Sequence, residues 1–180
     1  MKHAHPHLLA AAALAALIAV TAGEARAQSA QEMIDNALSA APPAIAANAA
    51  VVDGAGNVLK EGSNGYTCLP DDPRPGNSPM CLDAGWLGWA DSWMNKKPVK
   101  LPKGIAFAYM LQGDAPVSNT DPYATEMTAE NEWLDDIGPH LMILVPDLKM
   151  LEGFTSDPSY GGPYVMWRGT QYAHLMVPVE

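Results

Sequence analysis

Prolines and glycines interrupt this chain at short intervals. The 180 residues include 16 prolines and 15 glycines, together about 17% of the chain against roughly 12% in average proteins. Proline lacks a backbone N–H and fixes its own φ angle, while glycine favours turns over regular structure. Long helices and long strands should therefore be few, and the spacing predicts a loop-rich domain.

The first 27 residues have the pattern of an export signal. Residues 1–7 carry a lysine and three histidines but no acid, residues 8–23 are an almost unbroken apolar run, and Ala25-Arg26-Ala27 matches a small-x-small cleavage site. A retained membrane anchor is the alternative, but the run is shorter than the ~20 residues that a spanning helix needs. We predict a signal peptide over 1–27 and a single α+β domain over 28–180, periplasmic or secreted and not inserted in a membrane after cleavage.

Acidic residues outnumber basic ones along the chain. There are 20 Asp and Glu against 10 Lys and Arg, which gives a formal net charge of −10. Because a surface of this sign repels phosphate backbones, we predict that the protein does not bind nucleic acid.

The chain has only two cysteines, Cys68 and Cys81. An exported protein meets oxidising conditions, which favour a disulfide over two free thiols. The stretch between them is rich in turn-forming residues and could not hold a shape through an apolar core of its own. A redox-active pair is the alternative, although the spacing is far from Cys-x-x-Cys. The sequence therefore predicts a structural disulfide between Cys68 and Cys81.

Apolar periodicity predicts an α+β fold, in which one or two helices pack on a face of an antiparallel sheet. We predict strands over residues 104–112, 140–145, 164–168 and 172–179, and a hairpin over 45–61. We predict helices over 29–40, over 79–95 with Ser78 as N-cap and over 128–137 with Thr128 as N-cap, and a single helical turn over 147–152. The helix over 79–95 carries Trp86, Trp89 and Trp93 at helical spacing, which we interpret as a buried face; a platform for stacking sugars is the alternative.

The tripeptide His-Leu-Met occurs twice, in the last long strand and in the strand over 140–145. Since alternate residues of a strand share a face, His140 lies on the same side as Met142, and His174 on the same side as Met176. The alternate positions in both strands are aliphatic. If these aliphatic sides share one interior, the histidines and methionines lie together on the opposite side of the sheet.

Imidazole and thioether together are suited to copper, because soft sulfur favours the cuprous ion. The sequence therefore predicts a candidate copper or small-ligand face at His140, Met142, His174 and Met176. Met110 and Met166 could join this face, and Tyr164, Arg168 and Tyr172 would border it. The alternative interpretation is plain packing, in which methionines fill core gaps and each histidine is a buried hydrogen-bonding group.

A small secreted hydrolase is the other function considered. It would use His140 or His174 with a nearby carboxylate as general base, and the candidates for that carboxylate are Asp121, Asp147 and Asp157. Ser118 or Thr120 would be the nucleophile. The sequence contains no nucleophile elbow, zinc-protease or phosphate-loop motif, so it favours a binding or accessory protein over an enzyme.

Overall fold

A computed structural model describes residues 30–71 and 75–179, and the predicted signal peptide lies outside these ranges. Residues 30–39 form helix α1, which agrees with the predicted helix over 29–40 as far as the structure reaches. The other helices are α2 (Pro43–Ala46) and α3 (Ala84–Met94). The strands are β1 (Ala50–Val52), β2 (Val58–Lys60), β3 (Thr67–Leu69), β4 (Met80–Leu82), β5 (Ala106–Met110), β6 (Val117–Ser118), β7 (Trp133–Leu134), β8 (His140–Leu144), β9 (Tyr164–Met166) and β10 (His174–Pro178).

Eight of these strands form one sheet in the order β2-β1-β3-β4-β5-β8-β10-β9. All neighbours are antiparallel except β1 and β3, which are parallel. Strands β6 and β7 form a separate antiparallel pair. The predicted α+β class, with a mostly antiparallel sheet and few helices, is confirmed.

The segment before α3 is a strand, whereas the sequence predicted that the helix begins at Pro79. Met80–Leu82 pairs with both β3 and β5, so these residues are held in extended backbone by hydrogen bonds on two sides. The helix begins at Ala84, and its N-cap is Asp83 instead of Ser78: the Asp83 carboxylate accepts a hydrogen bond from the backbone N–H of Trp86. Long-range pairing overrides the local helix signal here.

Two other local predictions are corrected. The first two residues of the predicted hairpin, Ile45 and Ala46, are the end of the short helix α2, and the antiparallel pair consists of β1 and β2 alone. Residues 128–137 do not form a helix, because Trp133–Leu134 pairs with β6 and the Asn131 side chain accepts a hydrogen bond from the backbone N–H of Thr128. The predicted helical turn over 147–152 is present as the 3-10 helix Leu148–Leu151, capped by Asp147.

The disulfide between Cys68 and Cys81 is confirmed. The two residues lie directly opposite each other in β3 and β4, with Cα atoms 3.9 Å apart, and both are fully buried. They share an apolar cluster with Ala37 and Ala40 at the end of α1. The bridge therefore joins β3 to β4, and its two residues pack against the first helix.

The sheet has a core on each face. Helix α3 covers the middle of one face and forms the larger cluster with strands β4, β5, β8, β9 and β10. On the other face α1 packs over one end of the sheet, and the 3-10 helix Leu148–Leu151 packs over the other. Within the described residues no helix is long and apolar enough to cross a membrane.

Candidate functional site

The four residues predicted from the doubled His-Leu-Met lie together on one face of the sheet, which we call the His–Met face. His140 and Met142 come from β8, and His174 and Met176 come from the neighbouring antiparallel strand β10. Met142 lies directly opposite Met176 in the register of these strands. All four side chains are buried, and each histidine is only 1% exposed.

The His–Met face is the interior of the larger core. Sequence parity correctly separates it from the aliphatic positions, which line the opposite face and form a smaller cluster around Leu175. The aliphatic sides of the two strands do share one interior, the smaller cluster. The His–Met face has the larger core, because α3 packs its buried Trp86 and Trp89 against it. Any ligand held there would be sealed from solvent.

Each histidine has two methionine neighbours on this face. One methionine follows two residues later in the same strand, and a second lies directly opposite in the neighbouring antiparallel strand. Residues directly opposite in such a pair have Cβ atoms about 4.5–5.5 Å apart. We call the two groups the His140 triad (His140, Met142, Met110) and the His174 triad (His174, Met176, Met166).

The backbone fixes the tautomer of both histidines. Nδ1 of His140 lies 2.8 Å from the carbonyl oxygen of Gly138, and Nδ1 of His174 lies 3.0 Å from that of Tyr172. A carbonyl can only accept, so each Nδ1 carries the proton and each Nε2 of the neutral ring carries a free lone pair. Both Nε2 atoms are buried and have no hydrogen-bond partner.

Burial lowers the pKa of both imidazoles. The pKa of His174 falls from 6.5 to about 4 because burial disfavours the charged ring; the bond to Tyr172 opposes this shift, and His140 adds to it. Burial also lowers the pKa of His140, against the opposing effect of its bond to Gly138. Both rings are therefore neutral at pH 7, which is the protonation state that a metal ligand requires.

Three tryptophans surround His174. The rings of Trp86, Trp89 and Trp167 have centroids 5.1–5.5 Å from that of His174 and stand at 77–82° to it. The indole Nε1 of Trp167 donates to the carbonyl of Ser118, whereas those of Trp86 and Trp89 are buried without a partner. The interpretation of the tryptophan stripe as a buried face therefore holds for Trp86 and Trp89.

The structure does not bring the hydrolase candidates to the histidines. Asp147 caps the 3-10 helix Leu148–Leu151, and Asp157 caps a second 3-10 helix, Pro158–Tyr160. Asp121 accepts a hydrogen bond from the N–H of Tyr123. The Ser118 hydroxyl accepts from the backbone N–H groups of Thr120 and Asp121. Nδ1 of each imidazole is bonded to a backbone carbonyl and Nε2 has no hydrogen-bond partner, so among the described residues no carboxylate forms a hydrogen bond with either ring to make a general base.

Within residues 30–71 and 75–179, no group of three or more His, Cys, Asp or Glu side chains could hold a metal ion. Any metal held on this face would depend on histidine nitrogen and methionine sulfur.

Sequence reasoning missed the part played by Trp167 and Asn119. The backbone N–H of Trp167 donates to the carbonyl of Asn119, and the buried Asn119 amide donates to Glu132 and to the carbonyl of Ser156. This network holds the loop after β6 against the end of β9 and places the Trp167 ring beside His174. Nothing local in the sequence signals such a contact, because the partners are far apart along the chain.

Two surface clefts lie away from the His–Met face. One, of about 240 Å³, is lined by residues that include Leu148, Val165 and Arg168. The other, of about 560 Å³, is lined by residues that include Tyr66 and Lys103 near the start of α3. Neither cleft is lined by a histidine or a methionine.

Comparison of the chain with protein family models, with curated proteins and with solved structures found no match.

Proposed function

We propose that this chain is an exported protein that binds soft metal ions, copper in its cuprous state, on the His–Met face, through His140 with Met142 and through His174 with Met176. The observation that carries the proposal is the pair of buried Nε2 atoms without a partner. A buried nitrogen lone pair without a hydrogen bond costs free energy, and a metal ion bound to it would recover that cost.

The hydrogen bonds of the two rings support this proposal. In metal sites the nitrogen that does not bind the metal commonly donates to a carbonyl, which fixes the tautomer and orients the ring. His140 and His174 both have this arrangement through Nδ1. The ligand nitrogen of each would be Nε2.

The neighbouring methionines favour the cuprous ion over harder metals. Thioether sulfur is a soft ligand, and each histidine has two methionines beside it on the same face. Methionine has three rotatable bonds, so its sulfur can move toward a bound ion with little change in the backbone.

The export part of the proposal rests on two observations. The pattern of residues 1–27 is that of a signal peptide. The disulfide between Cys68 and Cys81 is the state that an oxidising compartment maintains.

The test is a titration of the purified, disulfide-bonded protein with cuprous ion, without oxygen and against a competing cuprous chelator. We expect binding by the wild type and its loss in the double variant His140→Ala/His174→Ala. Because removing buried rings can unfold the chain, Met142→Leu/Met176→Leu is the second variant: it keeps the volume and removes two sulfurs.

The matched control is Met94→Leu/Met127→Leu, since these methionines are 67% and 61% exposed. It should bind like the wild type. The same number of ions bound by the wild type and by both His–Met face variants, with folding verified by circular dichroism, would refute the proposal.

A further inference from the structure

The two triads have different surroundings. His174 has Trp86, Trp89 and Trp167 within 5.1–5.5 Å of its ring centroid. In the part of the chain that the structure describes, His140 makes no such ring contact. An ion on Nε2 of His174 would therefore lie among indole rings, whose faces attract cations and whose bulk keeps water out.

Every ligand available to an ion at His174 is uncharged. The imidazole is neutral, methionine carries no charge, and His140 is the one other ionisable group that acts on the ring. The cost of moving an ion from water into an apolar interior grows with the square of its charge, so a divalent ion pays about four times as much as a monovalent one. Among the described residues no carboxylate forms a hydrogen bond with the His174 ring or contributes to its pKa shift, so this cost is not offset at His174 and selects against divalent ions.

The indole N–H groups of Trp86 and Trp89 add no ligand. An indole nitrogen is a donor only and cannot bind a metal. The strand register and alternation place the side chains of Met166 and Met176 next to His174. Nε2 and these two sulfurs would be the ligands, a set of one nitrogen and two soft atoms that suits a monovalent d¹⁰ ion.

Building on the function proposed above, we infer that the His174 triad is a separate site that takes one monovalent soft cation, cuprous or silver ion, and rejects divalent ions. The indoles around it make it the site that tryptophan fluorescence reports. The His140 triad, which lacks these neighbours, would bind without a comparable fluorescence change.

The experiment uses silver ion, which is stable in air, on the purified, disulfide-bonded protein. Tryptophan fluorescence follows binding at His174, and mass spectrometry of the intact protein counts the ions. Met166→Leu removes one sulfur from the His174 triad, and Met110→Leu makes the same change in the His140 triad; both keep the side-chain volume. Met176→Leu is a second variant of the His174 triad.

We expect silver to quench the tryptophan fluorescence of the wild type and of Met110→Leu at the same silver concentration. In Met166→Leu and Met176→Leu the quenching should need about tenfold more silver. Excess zinc ion should neither quench the fluorescence nor displace silver. Equal weakening in the Met110 and Met166 variants would refute two separate sites, and displacement of silver by zinc would refute selection by charge.

Failure of the inference differs from failure of the proposed function. If silver and cuprous ions bind but Met110→Leu and Met166→Leu need the same silver concentration for quenching, the separate site at His174 is refuted and the proposed function is not. If neither ion binds the wild type, the proposed function falls too, and the buried nitrogens of His140 and His174 must be satisfied by water.

Discussion

Met142 lies directly opposite Met176 where β8 and β10 pair, and each methionine has a histidine two residues before it in its own strand. Because the strands are antiparallel, His140 and His174 lie on opposite sides of this methionine pair. A tripeptide that is repeated in the sequence thus becomes a local two-fold arrangement in the sheet. The cross-strand partners, Met110 and Met166, extend it at both ends.

Burial of His174 makes the stability of the protein depend on pH. The pKa of this ring is 6.5 before folding and about 4 in the folded chain, so between these values the unfolded state binds a proton that the folded state does not. The free energy of unfolding should therefore be highest above pH 6.5 and fall as the pH is lowered toward 4. The loss due to His174 is on the order of 3 kcal/mol.

Urea unfolding at pH 7 and pH 4.5 measures this loss. The variant His174→Phe keeps an aromatic ring against the tryptophans but cannot titrate, so its stability should change much less between the two pH values. The remaining dependence should come from His140, whose pKa burial also lowers. An unchanged pH dependence in His174→Phe would show that the ring titrates normally in the folded protein.

Reduction of the disulfide should lower stability, because Cys68 and Cys81 close a loop with a sequence separation of 13. The chain-entropy account gives about 3 kcal/mol for a loop of this length. Thermal unfolding with and without a reductant measures the effect. These are the only cysteines in the chain, so the variant Cys68→Ala/Cys81→Ala should melt at the same temperature in both conditions. Identical melting of the wild type with and without reductant would contradict the prediction.

The sequence predicts which residues share a face far better than it predicts which face a helix covers. Strand parity places His140 with Met142 and His174 with Met176, because alternation is a local property of extended backbone. The sequence also contains the tryptophan stripe of α3. It does not reveal that this stripe packs on the His–Met face, since that contact depends on connections between distant elements.

Register and element boundaries depend on the same long-range contacts. The sequence offers Met110 and Met166 as possible members of the His–Met face. It does not place them opposite His140 and His174, because strand register is not determined by the sequence alone. Helix α3 begins at Ala84 and not at the predicted Pro79, because Met80–Leu82 pairs with a strand on each side. Local capping and turn signals predict an element correctly where no distant strand pairs with the same residues, as in the helical turn that Asp147 caps.

Two glycines of α3 should respond to alanine in opposite directions. A Cβ on Gly85 would lie 2.6 Å from the Cβ of Ala106 and 3.1 Å from that of Pro102, so Gly85→Ala forces α3 away from the sheet. We expect a loss of about 1–3 kcal/mol. A Cβ on Gly88 meets nothing within 4 Å, so Gly88→Ala should stabilise the helix by about 0.5–1 kcal/mol.

The melting temperatures of Gly85→Ala and Gly88→Ala provide the comparison. Both substitutions add one Cβ within α3, so a loss of stability in Gly85→Ala alone would report the contact with Ala106 and Pro102. If both variants melt above the wild type, α3 does not pack as closely on β5 as the structure shows.

Asp83 joins the start of α3 to strand β5. One carboxylate oxygen accepts the N–H of Trp86, 3.0 Å away, and the other accepts the N–H of Phe107, 2.6 Å away. Asp83→Ala removes both bonds and should lower the free energy of unfolding by about 2 kcal/mol, the upper range for an N-cap. Asp83→Asn keeps one acceptor and should lose about half as much.

A charge-matched control separates these bonds from the loss of an acidic residue. Asp91 lies on the same helix and pairs with Lys97 at 3.2 Å, but both side chains are more than half exposed. Exposed pairs contribute little, so Asp91→Ala should change the free energy of unfolding by less than about 1 kcal/mol. Urea unfolding measures the free energy of unfolding of the three variants, and we expect Asp83→Ala to be the least stable. Equal losses in Asp83→Ala and Asp91→Ala would mean that the cap contributes nothing beyond its charge, and the link between α3 and β5 would have to lie in side-chain packing alone.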